Sequence, residues 1–261
     1  MYRFAANLEW LFTEAGTNTA DRVRAAAAYG FEAVEIWEWR NKDLPRLKDA
    51  LAEHSVLLLS LIVDPKMNIT DRANQSRYLR AVEESLVVAL RLGAPNLVAV
   101  AGDDQPGIPR DEQHDALVDT LVAAARILAG TGVTLVLEPL NSRVDHAGTF
   151  LDTTSDGLRV IRDVDRAEVR LLFDAYHALV MGELIDVELE GSMELVGHVQ
   201  IADVPGRHEI GTGQIDWAAN LATLDRLGYR GFYGLEYLPT VDTERSLAEI
   251  KRLGRWTHPG R

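Results

Sequence analysis

Residues 91–100 read RLGAPNLVAV, which is the end of a helix, a glycine at position 93, a short turn and an apolar run typical of a buried strand. The same order recurs in residues 28–36 (AYGFEAVEI), 129–137 (AGTGVTLVL) and 226–235 (RLGYRGFYGL). A glycine at this point provides the left-handed backbone conformation that ends a helix. Its repetition along the chain predicts parallel strands joined by crossover helices.

Eight short apolar runs fit the strand part of this pattern. They are Tyr2–Ala6, Ala33–Ile36, Leu57–Ile62, Leu97–Ala101, Thr134–Leu137, Val169–Phe173, His198–Ile201 and Gly231–Leu235. The helical pattern is clearest at Thr19–Tyr29, Leu44–Glu53, Gln75–Leu92 and Glu112–Ala129. Eight such units predict a (β/α)8 TIM barrel that forms a single domain over residues 1–261. An open doubly wound sheet ranks second, because no G-x-G-x-x-G motif follows the first strand.

The composition excludes several classes of protein. A net charge of −13 disfavours binding to nucleic acid or to a membrane surface, and the absence of cysteine excludes disulfides and thiolate metal sites. The N-terminus lacks the pattern of a secretory signal, and no apolar run approaches the roughly 20 residues that cross a bilayer. We therefore expect a soluble cytoplasmic protein.

Four candidate strands in a row end in polar side chains that can bind a cation. These are Glu138, Asp174, Gln200 and Glu236, separated by 36, 26 and 36 residues. The carboxyl ends of barrel strands meet at one mouth, where catalytic residues gather. Three carboxylates in one place repel each other unless a cation compensates. Oxygen ligands without cysteine favour a hard ion, so the sequence predicts a site for Mg2+ or Mn2+.

Several motifs resemble the hydroxypyruvate isomerase group of the xylose isomerase-like barrels. They are LEPLN, FDAYH, GHVQIAD, GTGQIDW and GLEY, with ANLEWLF near the N-terminus. The resemblance implies that Glu138, Asp174, Gln200 and Glu236 bind the metal, and that Glu138 and Glu236 form the acid/base pair. It also implies that His177 forms a hydrogen bond with a substrate oxygen, although a histidine here can instead cap the following helix.

Two features depart from that family pattern. A lysine is typical where this chain has Leu238, and the segment SLIVDPKMNITD (residues 60–71) is unlike the family's. Both changes bear on which acid or sugar binds.

Further candidates come from the loops. Arg207 can bind a substrate carboxylate through two parallel hydrogen bonds, with His208 and Glu209 as competing candidates. Asp203 is expected to support Gln200 or the loop backbone, and Asp216 to cap a helix. Trp10, Trp37 and Trp39 either form walls of the pocket or pack in the core. The AGDDQPGIPRDE segment (residues 101–112) is either a lid or a solvated connection.

These features predict isomerisation of a small hydroxy-keto acid through an enediolate, with hydroxypyruvate to tartronate semialdehyde as the named case. The alternative is a ketose 3-epimerase, or a related sugar isomerase or dehydratase of the same superfamily. Metal-dependent DNA cleavage and sugar-acid binding without catalysis rank lower. The expected partner is a small sugar or sugar acid, and the oligomeric state, including a possible homo-oligomer, is left open.

Overall fold

The computed structural model describes residues 2–253, in which eight parallel strands close into a barrel. The strands are β1 (Arg3–Asn7), β2 (Ala33–Glu35), β3 (Leu57–Ile62), β4 (Asn96–Val100), β5 (Thr134–Glu138), β6 (Val169–Asp174), β7 (Val196–Ile201) and β8 (Phe232–Leu235). The helices are α1 (Thr19–Tyr29), α2 (Leu44–His54), α3 (Gln75–Leu92), α4 (Arg110–Leu128), α5 (Thr154–Val164), α6 (Ala175–Met181), α7 (Ile185–Leu189), α8 (Trp217–Leu227), α9 (Thr243–Ser246) and α10 (Ala248–Leu253). The predicted (β/α)8 barrel is confirmed.

The eight predicted strands agree with the structure to within two residues at each end. Strands β5 and β6 each extend one residue further than predicted, because Glu138 and Asp174 keep the extended backbone. Glu138 pairs with Val100 of β4, and Asp174 pairs with Gln200 of β7. Two of the predicted polar residues are therefore held by the sheet itself.

The glycines that the opening motif singled out all have positive φ. The values are 109° at Gly30, 74° at Gly93, 75° at Gly130 and 106° at Gly228. At Gly30, Gly93 and Gly228 this conformation ends α1, α3 and α8, whereas the cap of α4 is Ala129, one residue before Gly130, so the prediction was wrong for Gly130. The repeated helix–glycine–strand order is thus a backbone requirement, since other residues adopt this conformation at a cost.

Part of the barrel interior below the mouth is aliphatic. Val136 and Leu172 pack together in a small cluster that is separate from the large core between sheet and helices. Side chains two residues apart on a strand share a face. Glu138 and Asp174 therefore follow Val136 and Leu172 on the inner face, at the carboxyl end of the barrel.

The single-domain prediction includes Met1 and residues 254–261, which lie outside the described residues. None of the helices between residues 2 and 253 combines the length and apolar character of a membrane-spanning segment.

Candidate active site and metal centre

A cavity of about 580 Å³ opens at the carboxyl ends of the strands. Glu138, His177, Arg207 and Glu236 lie in its lining, and the rings of Trp10 and Trp37 form part of its wall. The two indole rings contact each other edge to face, 5.0 Å apart. A concave site with few polar groups among apolar walls is the usual form of a small-molecule site.

The predicted carboxylates come together beneath this cavity. Ligand atoms of Glu138, Asp174 and His177 lie within 4.8 Å of one another, and all three side chains are buried. Glu236 joins them through Arg207, whose Nη2 donates to Asp174 Oδ2 at 3.0 Å and to Glu236 Oε2 at 2.8 Å. Three buried acids thus share one small region.

The environment of this cluster disfavours negative charge. Burial raises the pKa of Glu138 well above its ordinary value, and the nearby charges of Glu236 and Asp174 raise it further. Burial raises the pKa of Glu236 to about 7 and also raises that of Asp174, although Arg207 opposes both shifts. The charge of Arg207 therefore does not fully compensate the negative charge that the three carboxylates carry when they are ionised.

Gln200 presents an oxygen that lacks a partner. It lies opposite Asp174 of β6 and Gly234 of β8. Its Nε2 donates to Glu35 Oε2 at 3.2 Å, whereas its buried Oε1 has no hydrogen-bond partner among residues 2–253. A buried acceptor left without a partner costs roughly 1–3 kcal/mol. A cation at the cluster would satisfy this oxygen.

Glu35 is a buried part of the site that the sequence reasoning missed. Its carboxylate accepts from Ser60 Oγ at 3.1 Å and lies 2.5 Å from His198 Nε2, in addition to holding Gln200. Gly234 leaves room for it, because a Cβ at that position would collide with Glu35 Oε2. An acidic residue inside the apolar run AVEI was the available signal. Glu35 fixes the amide of Gln200 so that Oε1 is the atom left free.

The hydrogen bonds of His177 determine its tautomer. Its Nδ1 accepts from the backbone N–H of Asn141 at 3.1 Å, so the proton of the neutral ring is on Nε2. Burial keeps the ring neutral by lowering the pKa of His177 well below its usual value, and Arg207 adds to this effect. Nε2 has no hydrogen-bond partner in the described part of the chain. Its nearest charged atoms are Asp174 Oδ2 at 3.5 Å and Glu138 Oε1 at 3.8 Å, so the Nε2–H lies beside these two carboxylates.

Glu236 is oriented by two donors, one at the end of β1 and one in the segment that follows β2. Asn7 Nδ2 donates to Oε1 at 3.0 Å, and Trp37 Nε1 donates to the same oxygen at 2.5 Å. Sequence reasoning assigned Trp37 to the wall or the core and gave Asn7 no role. Oε2, which contacts Arg207, is the oxygen on the side of Asp174.

Arg207 lies between two rings and two acids. Its guanidinium is 5.1 Å from the ring centre of Trp10 and 5.0 Å from that of Tyr176. The competing candidates are engaged elsewhere, since His208 Nδ1 lies 2.8 Å from the carbonyl oxygen of Leu238, and Glu209 accepts from the N–H and hydroxyl of Thr240. Binding of a substrate carboxylate by Arg207 stays a prediction.

The remaining predictions have clear outcomes. Asp203 Oδ2 accepts from the N–H groups of Gly211 and Gly213, so it supports the loop backbone. Asp216 caps α8 through the N–H of Ala219. Trp39 packs against the core, and its Nε1 donates to a serine hydroxyl on α3.

The donor set fits a hard divalent cation. Glu138, Asp174 and Glu236 offer carboxylate oxygens, and Gln200 offers an amide oxygen that no residue between 2 and 253 satisfies. Such all-oxygen sets suit Mg2+ or Mn2+. A cation bound by Asp174 and Glu236 would compete with Arg207 for the same oxygens.

Replacement of Arg207 by methionine is expected to destabilise the metal-free protein. The change leaves two buried carboxylates without their cation, which should lower the free energy of unfolding by up to about 3 kcal/mol at pH 8. The loss should be smaller at pH 6, because carboxylates with raised pKa values are then protonated, and smaller again with Mn2+. Urea denaturation measures these differences.

Arg230→Met is the matched control for this measurement. Arg230 makes an exposed pair with Asp225, and its loss should cost less than about 1 kcal/mol. An Arg207→Met protein as stable as the control would contradict the expectation.

The chain is similar in sequence and in fold to known proteins. Residues 23–253 match the family described as the xylose isomerase-like TIM barrel. The hydroxypyruvate isomerase of Escherichia coli K12 is 30% identical over 100% of both chains. The 2-oxo-tetronate isomerase of Cupriavidus necator is 31% identical over 98% of this chain and 100% of that one. A crystal structure of AP endonuclease, family 2, from Brucella melitensis matches with a TM-score of 0.90 and 30% identity, over 98% of this chain and 100% of that one.

Proposed function

The chain belongs to the hydroxypyruvate isomerase family of the xylose isomerase-like TIM barrels, and on that premise we propose that it isomerises a small hydroxy-keto acid with the aid of a divalent cation. The observation that carries the proposal is the buried group of Glu138, Asp174 and His177, with Glu236 joined to Asp174 through Arg207. Gln200, which lies opposite Asp174 on β7, adds a buried Oε1 that has no partner among the described residues. Such a cluster at the mouth of a barrel suits a Lewis-acid centre. The reaction is of the aldose–ketose type.

Glu138, Asp174, Gln200 and Glu236 are the proposed ligands of Mg2+ or Mn2+. When bound, the cation supplies positive charge that favours ionised hydroxyl and enediolate oxygens of the substrate. The amide of Gln200 is held in place by Glu35, and Glu236 by Asn7 and Trp37. Ligands fixed by such neighbours need little rearrangement to bind.

Glu138 and Glu236 are the proposed acid/base pair. Both line the cavity and both are buried, so each carboxylate can exchange a proton with substrate while bulk water is largely excluded. One removes the proton from a carbon that carries a hydroxyl group. The other delivers a proton to the adjacent carbon, while the proton of the hydroxyl group passes to the former carbonyl oxygen, so that no proton is gained or lost overall.

His177 and Arg207 are the proposed substrate-binding residues. Nε2 of His177 is a buried donor without a partner, which suits a substrate hydroxyl or carbonyl oxygen. Arg207 lines the cavity, and its charge lies beside both proposed catalytic acids. Together they place polar contacts on the side of the cavity formed by β6 and β7.

A ketose 3-epimerase is the second candidate, because the rim of the cavity carries the apolar and half-exposed side chain of Leu238. An apolar rim suits an uncharged sugar better than an acid. The ligands and the acid/base pair would be the same in either case.

Conversion of hydroxypyruvate in D2O tests the proposal. With Mg2+ or Mn2+, we expect tartronate semialdehyde that carries deuterium at C2, detected by NMR. Uncharged ketoses should react far more slowly under the same conditions. Epimerisation of a ketose at C3 without turnover of any hydroxy-keto acid would instead support the second candidate.

A further inference from the structure

The cavity has a cationic side chain at its rim that the metal cluster does not use. Lys66 lies in the segment after β3 and lines the same cavity as Glu138 and Leu238. Among the described lining residues, Lys66 and Arg207 are the cationic side chains, since burial lowers the pKa of both His146 and His177. A carboxylate entering the cavity has these two cations as partners.

Arg207 is already engaged below the rim. Its Nη2 contacts both Asp174 and Glu236, and its charge offsets theirs. An anionic substrate would also approach Asp103 and Asp145, which line the cavity as well. Without another cation, the field of this acidic pocket would repel an acid.

Lys66 is available for a new partner. Its Nζ lies 3.0 Å from Glu38 Oε1, but the two side chains remain 48% and 30% exposed. Exposed pairs of this kind contribute little to stability, because water screens them and the long side chains lose entropy. The carboxylate of a substrate whose other end binds the metal centre can therefore compete with Glu38 for the ammonium group.

Hydrogen bonds hold the backbone on both sides of Lys66. On one side, Ser85 Oγ accepts from the N–H of Asp64, whose carboxylate accepts from the N–H of Arg40 at 2.9 Å. On the other, Asn68 Nδ2 donates to the carbonyl of Asp103 at 2.8 Å. Lys66 is thus presented from a fixed position at the rim.

We propose that Lys66 binds the carboxylate of the substrate and makes the site prefer a hydroxy-keto acid over an uncharged ketose. The inference rests on the proposed function, because it assumes a substrate that carries a carboxylate. The polar contacts made by His177 and the metal ligands lie deeper in the cavity. Lys66 at the rim and these groups below it would then bind opposite ends of one small acid.

Two ligands that differ only in the carboxylate can show whether Lys66 binds that group or affects the binding of any ligand in the cavity. Hydroxypyruvate and dihydroxyacetone share a ketone and an adjacent hydroxymethyl group, but dihydroxyacetone has a second hydroxymethyl in place of the carboxylate. Their dissociation constants in the presence of Mn2+ can be followed by the fluorescence of Trp10 and Trp37, which line the cavity. Binding is measured without any need for turnover.

Lys66→Met should raise the Kd of hydroxypyruvate about 10-fold, because a charge-assisted hydrogen bond is lost. The Kd of dihydroxyacetone should stay within about two-fold of the wild-type value. Lys66→Arg keeps the charge and should bind hydroxypyruvate nearly as well as the wild type. Lys48→Met, which removes an exposed lysine on α2, is the control for a change in net charge and should alter neither constant.

The proposal is overturned if Lys66→Met binds hydroxypyruvate as the wild type does, or if both ligands weaken equally. It is also overturned if Lys66→Arg is as weak as Lys66→Met, or if hydroxypyruvate does not bind the wild type. Failure of the proposed function gives a different pattern, namely tight and Lys66-dependent binding of hydroxypyruvate without isomerisation.

Discussion

Glu138→Gln and Glu236→Gln are each expected to lower kcat by about 10²–10⁴-fold at saturating Mn2+. General acid–base catalysis by a positioned side chain contributes an acceleration of this size. Glutamine has nearly the same shape and can still offer an oxygen to a cation, but it cannot accept and return a proton. The folded structure should persist, since removal of a negative charge from a crowded acidic cluster relieves repulsion.

The experiment must distinguish an effect of each substitution on metal binding from its effect on proton transfer. The Kd for Mn2+ is measured for each variant by electron paramagnetic resonance, and kcat is compared only where the site is saturated. Glu183→Gln is the matched control, because Glu183 is a partly buried acid that accepts from the backbone and hydroxyl of Thr154 and does not line the cavity. A saturated Glu138→Gln or Glu236→Gln enzyme within ten-fold of wild type would refute the assignment.

Exchange of substrate hydrogen with solvent identifies the first base. If Glu236→Gln still exchanges the C3 hydrogens of hydroxypyruvate with D2O but does not isomerise it, Glu138 removes the first proton. The reverse pattern assigns that step to Glu236. NMR follows both the exchange and the product in one sample.

Removal of divalent metal is expected to abolish turnover and to lower the melting temperature. Burial raises the pKa values of Glu138, Asp174 and Glu236, three of the four proposed ligands, and Oε1 of Gln200, the fourth, has no partner among the described residues. Dialysis against a chelator should reduce activity to below about 1% of the initial value, given the size of Lewis-acid contributions. Addition of Mn2+ or Mg2+ should restore it.

Bound metal should also stabilise the protein, because it binds the folded state and not the unfolded state. A ligand at 100 times its Kd stabilises the native protein by about 2.7 kcal/mol. Asp174→Asn should weaken Mn2+ binding and reduce this increase in melting temperature, whereas Asp225→Asn, an exposed acid, should not. Full activity in the chelated protein, or no thermal shift with either ion, would contradict a metal centre at these residues.

Much of the candidate site could be predicted, because the position of each polar residue relative to its strand can be read from neighbouring residues. Each proposed ligand lies at or near the end of an apolar strand, and the carboxyl ends of parallel strands necessarily meet at one mouth. Glu138 and Asp174 follow Val136 and Leu172 on the inner face, as the two-residue period of a strand requires. Gly30, Gly93 and Gly228 predicted helix ends, because a helix cap also depends only on residues that are neighbours in the chain.

The partners of those ligands could not be predicted in the same way. Glu35 and Gln200 are 165 residues apart, and Asn7 and Glu236 are 229 apart, yet each pair is joined by a hydrogen bond. A lone acid in a strand or an asparagine at a strand end has many possible partners. Only closure of the barrel selects one of them.

The sequence by itself determined the barrel and which polar side chains stand at its mouth, because strand period, helix caps and the order of polar strand ends are properties of neighbouring residues. Only the tertiary structure decided that Arg207 lies between Asp174 and Glu236, that Asn141 fixes the tautomer of His177, and that Lys66 lines the cavity with Leu238. These are contacts between residues of different β/α units. Their geometry is set by how the units close around one another, and no local pattern encodes it.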